Sequence, residues 1–159
     1  MYFVANDGHH GRELWRSDGT ATGTMRITSQ PMPEIRDVTS CRGRLYFITL
    51  DEKSAALWST SGNVGDFERI ADLPGHAGSW RDRPKGLTCM PGGLIFAVDE
   101  GGHGREPWTW SEGAHEVVLH DLLPGAESSH PEDFTRLGDE VYLRATDGLH
   151  GRELWVVTS

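Results

Sequence analysis

The chain has 159 residues, with 15 lysines and arginines against 24 aspartates and glutamates, which gives a formal net charge of −9. This acidic balance argues against a nucleic-acid-binding protein, because no surplus of positive charge is available for a phosphate backbone. Mean hydropathy is −0.48, and no apolar run approaches the roughly 20 residues that a membrane-spanning helix needs. The 20 glycines, 8 prolines and 6 tryptophans favour an all-β protein of many short strands.

The first predicted element is a strand over residues 1–5, which is followed by the octapeptide GHHGRELW at residues 8–15. The tryptophan of this octapeptide lies in a second predicted strand. The sequence SDGTATGT at residues 17–24 then turns the chain into a short strand at residues 25–27. Aspartate and glycine supply the positive φ that such tight turns require. This first segment therefore predicts three strands joined by hairpins.

The next two segments each predict four strands in the same order, and the last predicts three. Alternating or continuous apolar runs mark the strands, and short glycine-containing turns separate them. The predicted first strands are 35–39, 86–89 and 133–137. The predicted second strands are 45–50, 94–98 and 141–145. The third strands surround a tryptophan, and the predicted fourth strands are 67–70 and 116–119.

The octapeptide is the clearest evidence for an internal repeat. It recurs as GGHGREPW at residues 101–108 and as GLHGRELW at 148–155, with a shortened copy, AALW, at 55–58. The tryptophans recur about every 47 residues, which matches the period of four-stranded propeller blades. Longer linkers at residues 72–84 and 121–131 would carry the chain from the outer strand of one sheet to the inner strand of the next.

We therefore predict a β-propeller or partial propeller of about four blades, each a four-stranded antiparallel up-and-down sheet. The single repeat domain, 1–159, divides into units of about 1–34, 35–85, 86–132 and 133–159. The first unit lacks its first strand and the last unit lacks its last strand. Three explanations stay open: a piece of a longer propeller chain, a homo-oligomer that closes the ring between chains, or a four-blade ring with trimmed terminal blades.

The segment YFVANDGHHGRELWRSDGTATGT at residues 2–24 resembles the bacterial ELW-x-x-DGT repeat family. The linker at residues 121–131 is also similar to the one that joins repeats in that family, so the resemblance covers nearly the whole chain. It implies a β-propeller built from tandem repeats in exported or cell-surface proteins of Gram-negative bacteria. The second copy departs by losing the Arg-Glu pair, and the third has Pro107 for leucine and SEG at residues 111–113 for DGT.

The residues that recur at fixed positions of the repeat are interpreted as structural. Arginines would pair with acidic groups, and the large tryptophans would pack between blades, because such repeats stack through recurring interface residues. The repeat histidines lie in different predicted blades, so they are too far apart to coordinate a single metal ion. The structural set comprises His10, Arg12, Glu13, Trp15, Trp58, His103, Arg105, Glu106, Trp108, His150, Arg152, Glu153 and Trp155.

The linkers carry the candidate residues for binding a ligand or a partner. Trp80 departs from the repeat register and lies in a linker with several polar residues, which favours contact with a sugar ring or a partner protein. A tryptophan packed against its own blade is the alternative. The candidate binding residues are Trp80, His76, Arg81, His130, Ser128 and Ser129.

The two cysteines, Cys41 and Cys89, lack the Cys-x-x-Cys spacing of zinc and redox sites. They occupy nearly equivalent places in consecutive repeats, so a single bridge is conceivable, although two buried free thiols are the favoured interpretation. No cofactor is expected. Asp7 and Asp147 are the candidates for calcium, but each hairpin offers one carboxylate, and turn formation explains both.

The sequence predicts a non-catalytic binding or assembly module of an exported or surface bacterial protein, recognising a partner protein or a glycan through its loops. The sequence begins within a predicted strand without the pattern of a signal peptide, so either a signal lies upstream of these residues or the protein is not exported by one. The resemblance implies an extracellular, cell-surface or periplasmic location. No Gly-x-Ser-x-Gly elbow, His-Glu-x-x-His helix or phosphate loop is present. A dedicated lectin and a glycan-active hydrolase or lyase are the alternatives.

Overall fold

The computed structural model describes residues 1–28, 32–52, 54–74 and 83–158, and these residues form fourteen β-strands and no helix. Accordingly, none of the described residues belongs to a helix long and apolar enough to cross a membrane. The strands are β1 Tyr2–Asn6, β2 Arg12–Arg16, β3 Met25–Arg26, β4 Glu34–Cys41, β5 Arg44–Leu50, β6 Ala55–Thr60, β7 Glu68–Leu73, β8 Lys85–Met90, β9 Gly93–Asp99, β10 Arg105–Ser111, β11 Glu116–Leu119, β12 Glu132–Leu137, β13 Glu140–Thr146 and β14 Arg152–Val157.

The strands form four antiparallel sheets, and each sheet contains strands that are consecutive along the chain. The sheet orders are β1-β2-β3, β4-β5-β6-β7, β8-β9-β10-β11 and β12-β13-β14. We refer to them as the first to fourth sheets. The up-and-down order predicted from the sequence is confirmed, because short hairpins join neighbouring antiparallel strands in every sheet. The sheets that lack a fourth strand are the first and the last.

Consecutive sheets pack face to face and share apolar cores. One core joins the first and second sheets through Leu14 and Phe47, a second joins the second and third through Leu57 and Phe96, and a smaller one joins the third and fourth. The strands β4, β8 and β12 contact one another in series at one edge of the stack. We call these three the inner strands.

The pairing register gives every sheet two distinct faces. In each sheet an aromatic or leucine residue on the second strand of the repeat pairs with the repeat tryptophan, and in the second, third and fourth sheets this pair points toward the preceding sheet. These pairs are Phe3 with Trp15, Phe47 with Trp58, Phe96 with Trp108, and Leu143 with Trp155. The next pair along the strands lies on the opposite face, because side chains alternate between faces, and in the first three sheets that face points toward the following sheet. Those pairs are Val4 with Leu14, Ile48 with Leu57, Ala97 with Pro107, and Arg144 with Leu154.

Each inner strand carries a β-bulge at the same place in the repeat. The bulges lie between Arg36 and Thr39, between Lys85 and Thr88, and between Glu132 and Thr135. The first bulged residues are Asp37, Gly86 and Asp133, with φ of 42°, 76° and 57°. A bulge bends its strand and redirects side chains, so three equivalent kinks line up across the inner strands.

The favoured expectation of two free thiols is wrong, because Cys41 and Cys89 form a disulfide bond. Cys41 pairs with Arg44 at the end of β4, whereas the residue at the same place in β8 is Met90, which pairs with Gly93. Cys89 is therefore one position earlier in its repeat, and a shift of one residue moves a side chain to the opposite face of a strand. Cys41 faces the third sheet and Cys89 faces the second, so the bridge spans the boundary between them.

Candidate functional site

The hairpins that precede the repeat arginines are closed by a local carboxylate and histidine. Asp7 Oδ1 accepts hydrogen bonds from the amides of His9 and His10, and its Oδ2 lies 2.7 Å from His10 Nδ1. Asp147 and His150 repeat this arrangement with the same 2.7 Å separation. These contacts lie within four consecutive residues, so they stabilise each turn without help from a neighbouring sheet.

The third sheet has a variant of this turn in which Glu100 contacts His103 Nδ1. Hydrogen bonding to the carboxylate raises the pKa of His103, and the contact with Asp147 raises the pKa of His150. The pKa values of Asp7 and Asp147 lie well below their ordinary value, because these carboxylates accept amide and imidazole hydrogen bonds. Each of these histidines thus contacts a carboxylate of its own turn.

The glutamate that follows each repeat arginine has a different role, which is clearest in the third sheet. Glu106 is fully buried, and its two carboxylate oxygens accept hydrogen bonds from the amides of Leu122, at 3.0 Å, and Ser129, at 2.8 Å. Both amides belong to the linker that leads to the fourth sheet. Burial raises the pKa of Glu106 despite these hydrogen bonds. The glutamate therefore holds both ends of the linker against its own sheet.

The repeat arginines fix the segment that enters each inner strand. Arg105 donates to the carbonyl of Arg83 at 3.0 Å, and Arg152 donates to the carbonyl of His130 at 3.1 Å. Arg83 and His130 are the residues immediately before Pro84 and Pro131, which precede the inner strands. Arg152 also pairs with Glu132 Oε2 at 3.0 Å. The expected pairing with an acidic group is seen here, together with a carbonyl contact that the sequence did not indicate.

Three of the four repeat tryptophans donate an indole hydrogen bond to the neighbouring strand of their own sheet. The indole nitrogens of Trp15 and Trp155 donate to the carbonyls of Ala5 and Ala145, each at 3.2 Å. Trp58 donates instead to Thr49 Oγ1 and stacks on the ring of Phe47. Trp108 is buried in the core between the second and third sheets. Trp110, which departs from the repeat register, packs in the same core beside Tyr46.

A cleft of about 590 Å³ lies beside the inner strands. We call it the inner-strand cleft. Linker ends and two neighbouring sheets contribute to it, and four of its ten lining residues are cationic. Its lining residues are Arg36, Asp37, Leu50, Arg83, Pro84, Lys85, Asp99, Arg105, Ser128 and His130. Such a concentration of positive charge is notable in a chain whose net charge is −9.

A second cavity, of about 420 Å³, continues along the bulges and shares Asp37 and Lys85 with the cleft. Asp37 Oδ2 accepts a hydrogen bond from the Gly86 amide at 2.7 Å, which links the bulges of β4 and β8. A side chain at Gly86 would collide with the ring of Phe134 on β12. The three bulges are therefore packed in sequence, and they form a continuous floor beneath both cavities.

Ion pairs orient Arg36, Arg83 and Lys85 of the inner-strand cleft but leave them partly open to solvent, whereas Arg105 is buried. Arg36 lies 2.5 Å from Glu34, and Arg83 lies 3.5 Å from the other oxygen of the same carboxylate. Lys85 lies 3.9 Å from Glu132 and its side chain is 50% exposed. Burial alone would raise the pKa of Glu132, but hydrogen bonding to Arg152 and nearby positive charges bring it below its usual value. The cleft can thus offer oriented cations to an anionic group.

The candidate binding residues predicted from the linkers fall into three groups. Trp80, His76 and Arg81 lie outside the described residues. His130 is exposed and lines the inner-strand cleft, and Ser128 lines it too, with its hydroxyl accepting the amide hydrogen of Arg105 at 2.8 Å. Ser129 is fully buried, and its hydroxyl contacts the Arg105 carbonyl.

Sequence reasoning missed Arg36, Asp37 and Lys85, which lie on the inner strands. A usable signal exists, since the bulged segments read RDVT at residues 36–39, KGLT at 85–88 and EDFT at 132–135. The shared threonine follows an apolar residue, which follows an aspartate or a glycine suited to positive φ. The three segments share only the threonine, so their repetition is much harder to recognise than that of the octapeptide.

The calcium candidates Asp7 and Asp147 lie in opposite terminal sheets, and their carboxylates already accept hydrogen bonds from their own turns. Within residues 1–28, 32–52, 54–74 and 83–158, no group of three or more histidine, cysteine, aspartate or glutamate side chains is arranged to hold a metal ion.

Neither a family model nor a curated protein matches this sequence. Solved structures do match the fold. The tricorn protease aligns with 83% of this chain at a TM-score of 0.50 and 15% identity, and the chain covers 13% of it. A structure from a study of two prolyl endopeptidases aligns with 92% at 0.56 and 10% identity, with 23% of that chain covered. TolB from Acinetobacter baumannii aligns with 99% at 0.41 and 13% identity, with 49% covered.

These structural neighbours contain β-propellers. At identities of 10–15% the similarity shows the fold alone, so the four packed sheets are a β-propeller-like arrangement. The chain spans less than half the length of each of these proteins.

Proposed function

We propose that this chain is a non-catalytic binding module of an exported or cell-surface bacterial protein, related to the ELW-x-x-DGT repeat proteins. The inner-strand cleft recognises a carboxylate-bearing segment of a partner protein. The observation that carries the proposal is the set of four cations, Arg36, Arg83, Lys85 and Arg105, around one concave surface. Arginine presents a planar fork of donors that matches a carboxylate, and lysine adds a mobile positive charge.

The construction of the cleft supports binding rather than catalysis. Its walls are strands and linker ends. The hydrogen bonds that the Leu122 and Ser129 amides donate to Glu106, and the one that Arg105 donates to the Arg83 carbonyl, hold those ends in place. Recognition on a rigid frame loses little conformational entropy. The described lining residues contain no pairing of a nucleophile with a general base, such as a serine or cysteine hydrogen-bonded to histidine.

The disulfide between Cys41 and Cys89 supports the proposed location outside the cytoplasm. Disulfides persist in oxidising compartments such as the periplasm and the cell surface, and are rare in the reducing cytosol. The proposed location is tested by producing the protein once in the cytoplasm and once exported to the periplasm, and by labelling the free thiols of both samples. Protein recovered from the exported form should carry no free thiol, and free thiols in it would contradict the proposed location.

The binding proposal is tested with a fluorescent peptide of six glutamates, using a peptide of six lysines for comparison. Fluorescence anisotropy at low salt should detect binding of the glutamate peptide alone. The double variant Arg36→Glu with Lys85→Glu should weaken it by at least about tenfold, which corresponds to about 1.4 kcal/mol. Raising the salt concentration should weaken binding by the wild type, because the contacts are partly exposed.

A matched control removes charge far from the cleft. Arg69 lies on β7, the strand of the second sheet farthest from the inner strand β4, and pairs there with Asp72. Arg69→Glu with Arg26→Glu changes the net charge as much as the double variant does and should leave peptide binding within about twofold. Equal losses of peptide affinity in both double variants would show that the effect comes from net charge alone. That result would contradict the assignment of peptide binding to the cleft. Binding of an oligouronate, and not of the peptide, would instead favour the lectin alternative.

A further inference from the structure

The second cavity beside the inner strands differs in chemistry from the cleft that it continues. We call this cavity, of about 420 Å³, the bulge cavity. It shares Asp37 and Lys85 with the inner-strand cleft, so a single ligand can contact both. Lys85 is the one cation among the described residues that line the bulge cavity, whereas the cleft has three arginines as well. The two together form one groove with a cationic end.

Three apolar side chains of the bulge cavity come from equivalent positions of the repeat. Val38, Leu87 and Phe134 each follow the first residue of a bulge, and all three line this cavity. They converge because the bulges are aligned across the inner strands and redirect the side chains next to them. Leu87 is buried, while Val38 and Phe134 are half-buried. The bulge cavity therefore offers an apolar surface to a ligand.

The ring of Phe134 is held in place from two sides. It packs on a core that contains Ile95 and Val141, and its edge lies against Gly86, where an added Cβ would come within 2.7 Å of it. The Gly86 amide donates in turn to Asp37 Oδ2 at 2.7 Å. An apolar surface that is already ordered loses little conformational entropy when a ligand covers it.

The carboxylates at the bulge cavity are already engaged by cations of the protein. Glu132 lies 3.9 Å from Lys85 and 3.0 Å from Arg152. Asp133 lies 2.7 Å from Arg144. A further carboxylate from a ligand would be repelled by these acidic groups. An uncharged apolar side chain would avoid that repulsion and would remove apolar surface from water.

We propose that the partner segment carries an aliphatic side chain beside its acidic residues, and that this side chain fills the bulge cavity while the carboxylates contact the cations of the inner-strand cleft. The inference rests on the function proposed above and narrows the partner to an acidic segment bordered by leucine, isoleucine or valine. Charge complementarity sets the direction, because Arg36, Arg83 and Arg105 line the cleft and not the bulge cavity.

Fluorescent peptides that differ in one side chain test this inference. Each peptide has four glutamates, a spacer of one to three glycines and a final leucine, with both termini blocked, and a matched series has serine in place of leucine. The two series have the same charge, so the ratio of their dissociation constants isolates the effect of the apolar side chain. Fluorescence anisotropy with the full chain should show at least about fivefold tighter binding of the leucine peptide at the best spacing.

Two variants test whether the leucine lies in the bulge cavity. Phe134→Ala removes the ring, and Val38→Thr keeps the shape of valine but adds a hydroxyl group, so each should lower the ratio by at least about twofold. Val64→Thr is the matched control and should keep the ratio. Val64 is 57% exposed in the hairpin between β6 and β7 and lines neither cavity. A cooperative thermal transition establishes that each variant is folded, and Val38→Thr alone decides if Phe134→Ala is unfolded.

The outcomes separate this inference from the proposed function. Equal binding of the leucine and serine peptides would overturn the inference and leave the function in place, whereas binding of neither would overturn both. An undiminished ratio in folded Phe134→Ala and Val38→Thr would place the leucine elsewhere and overturn the inference. Tighter binding of a peptide with lysine in place of leucine would also overturn it, because the acidic groups of the bulge cavity would then attract a cation.

Discussion

The third and fourth sheets contain nearly the same octapeptide, but their side chains have very different surroundings. Glu106 is fully buried and bonded to two linker amides, whereas Glu153 at the same position is exposed. The difference arises because the third sheet is followed by a linker and another sheet, and the described fourth sheet is followed by neither. A repeat motif therefore specifies the shape of its own strands and turns, while its burial depends on the next unit.

The largest effect is expected at the boundary between the second and third sheets, where the disulfide lies. Cys41→Ser opens a covalent loop that joins residues 48 apart in sequence, and loop-entropy arguments put the loss of stability at about 4 kcal/mol. Chemical denaturation of the variant and of the reduced wild type should give similar free energies of unfolding. The boundary between the third and fourth sheets has Met90 and Arg136 in the corresponding places and no covalent link. An unchanged free energy of unfolding in Cys41→Ser would contradict the assigned bridge.

The next largest effect on the free energy of unfolding is expected at a buried leucine, Leu57, in comparison with its exposed counterpart, Leu154. Leu57→Ala should lower the free energy of unfolding by about 3 kcal/mol, because it leaves a cavity between packed sheets. Leu154→Ala should change it by no more than about 0.5 kcal/mol, because the Leu154 side chain is 70% exposed. Similar losses for the two leucines would show that the Leu154 side chain is covered.

Glu106 and Glu153 give a smaller contrast. Glu106→Ala deprives two linker amides of their acceptor and should cost about 2 kcal/mol, whereas Glu153→Ala should be close to neutral because Glu153 is exposed. Burial raises the pKa of Glu106 above that of an unfolded chain, so this group adds stability at low pH and the contribution is lost as pH rises through the folded pKa. The difference between wild type and Glu106→Ala should therefore shrink as pH rises, and a difference that grows would contradict this account.

The smallest effect concerns the hairpin of the fourth sheet. Asp147 raises the pKa of His150, so Asp147→Asn should lower that pKa toward about 6.5. The raised pKa favours the folded state below the unfolded pKa of histidine, and the gain is lost as pH rises through the folded pKa. Proton NMR titration of the imidazole resonances measures the shift. His103, which Glu100 stabilises in the third sheet, serves as the internal control and should titrate unchanged.

The sheets and most strands could be predicted from the sequence because their signals are local and repeated. Hydrophobic runs, glycine turns and the recurring tryptophan each act over a few residues. The second strand of the repeat, for example, was predicted at residues 94–98 and extends over Gly93–Asp99.

The candidate site could be predicted only in part, because it is assembled from separate repeats. Ser128 and His130 were selected from the linker and do line the cleft. Arg36 and Lys85 were not, since in the sequence each has the pattern of an ordinary charged strand residue, and only the packing of the bulges of β4 and β8 brings them to one cleft. The disulfide was missed for a related reason, because only the strand register shows that Cys41 and Cys89 are offset by one position and face each other.

The two hydrogen bonds of Glu106 also bear on how such a protein can change during evolution. They hold Leu122 and Ser129 at fixed places, so the chain between these residues forms a loop whose two attachment points are set by one buried side chain. Residues inserted or deleted within that loop need not alter the distance between the third and fourth sheets. The linker thus combines two fixed attachment points with an exposed tip at residues 124–127, so changes of sequence at that tip leave the architecture in place.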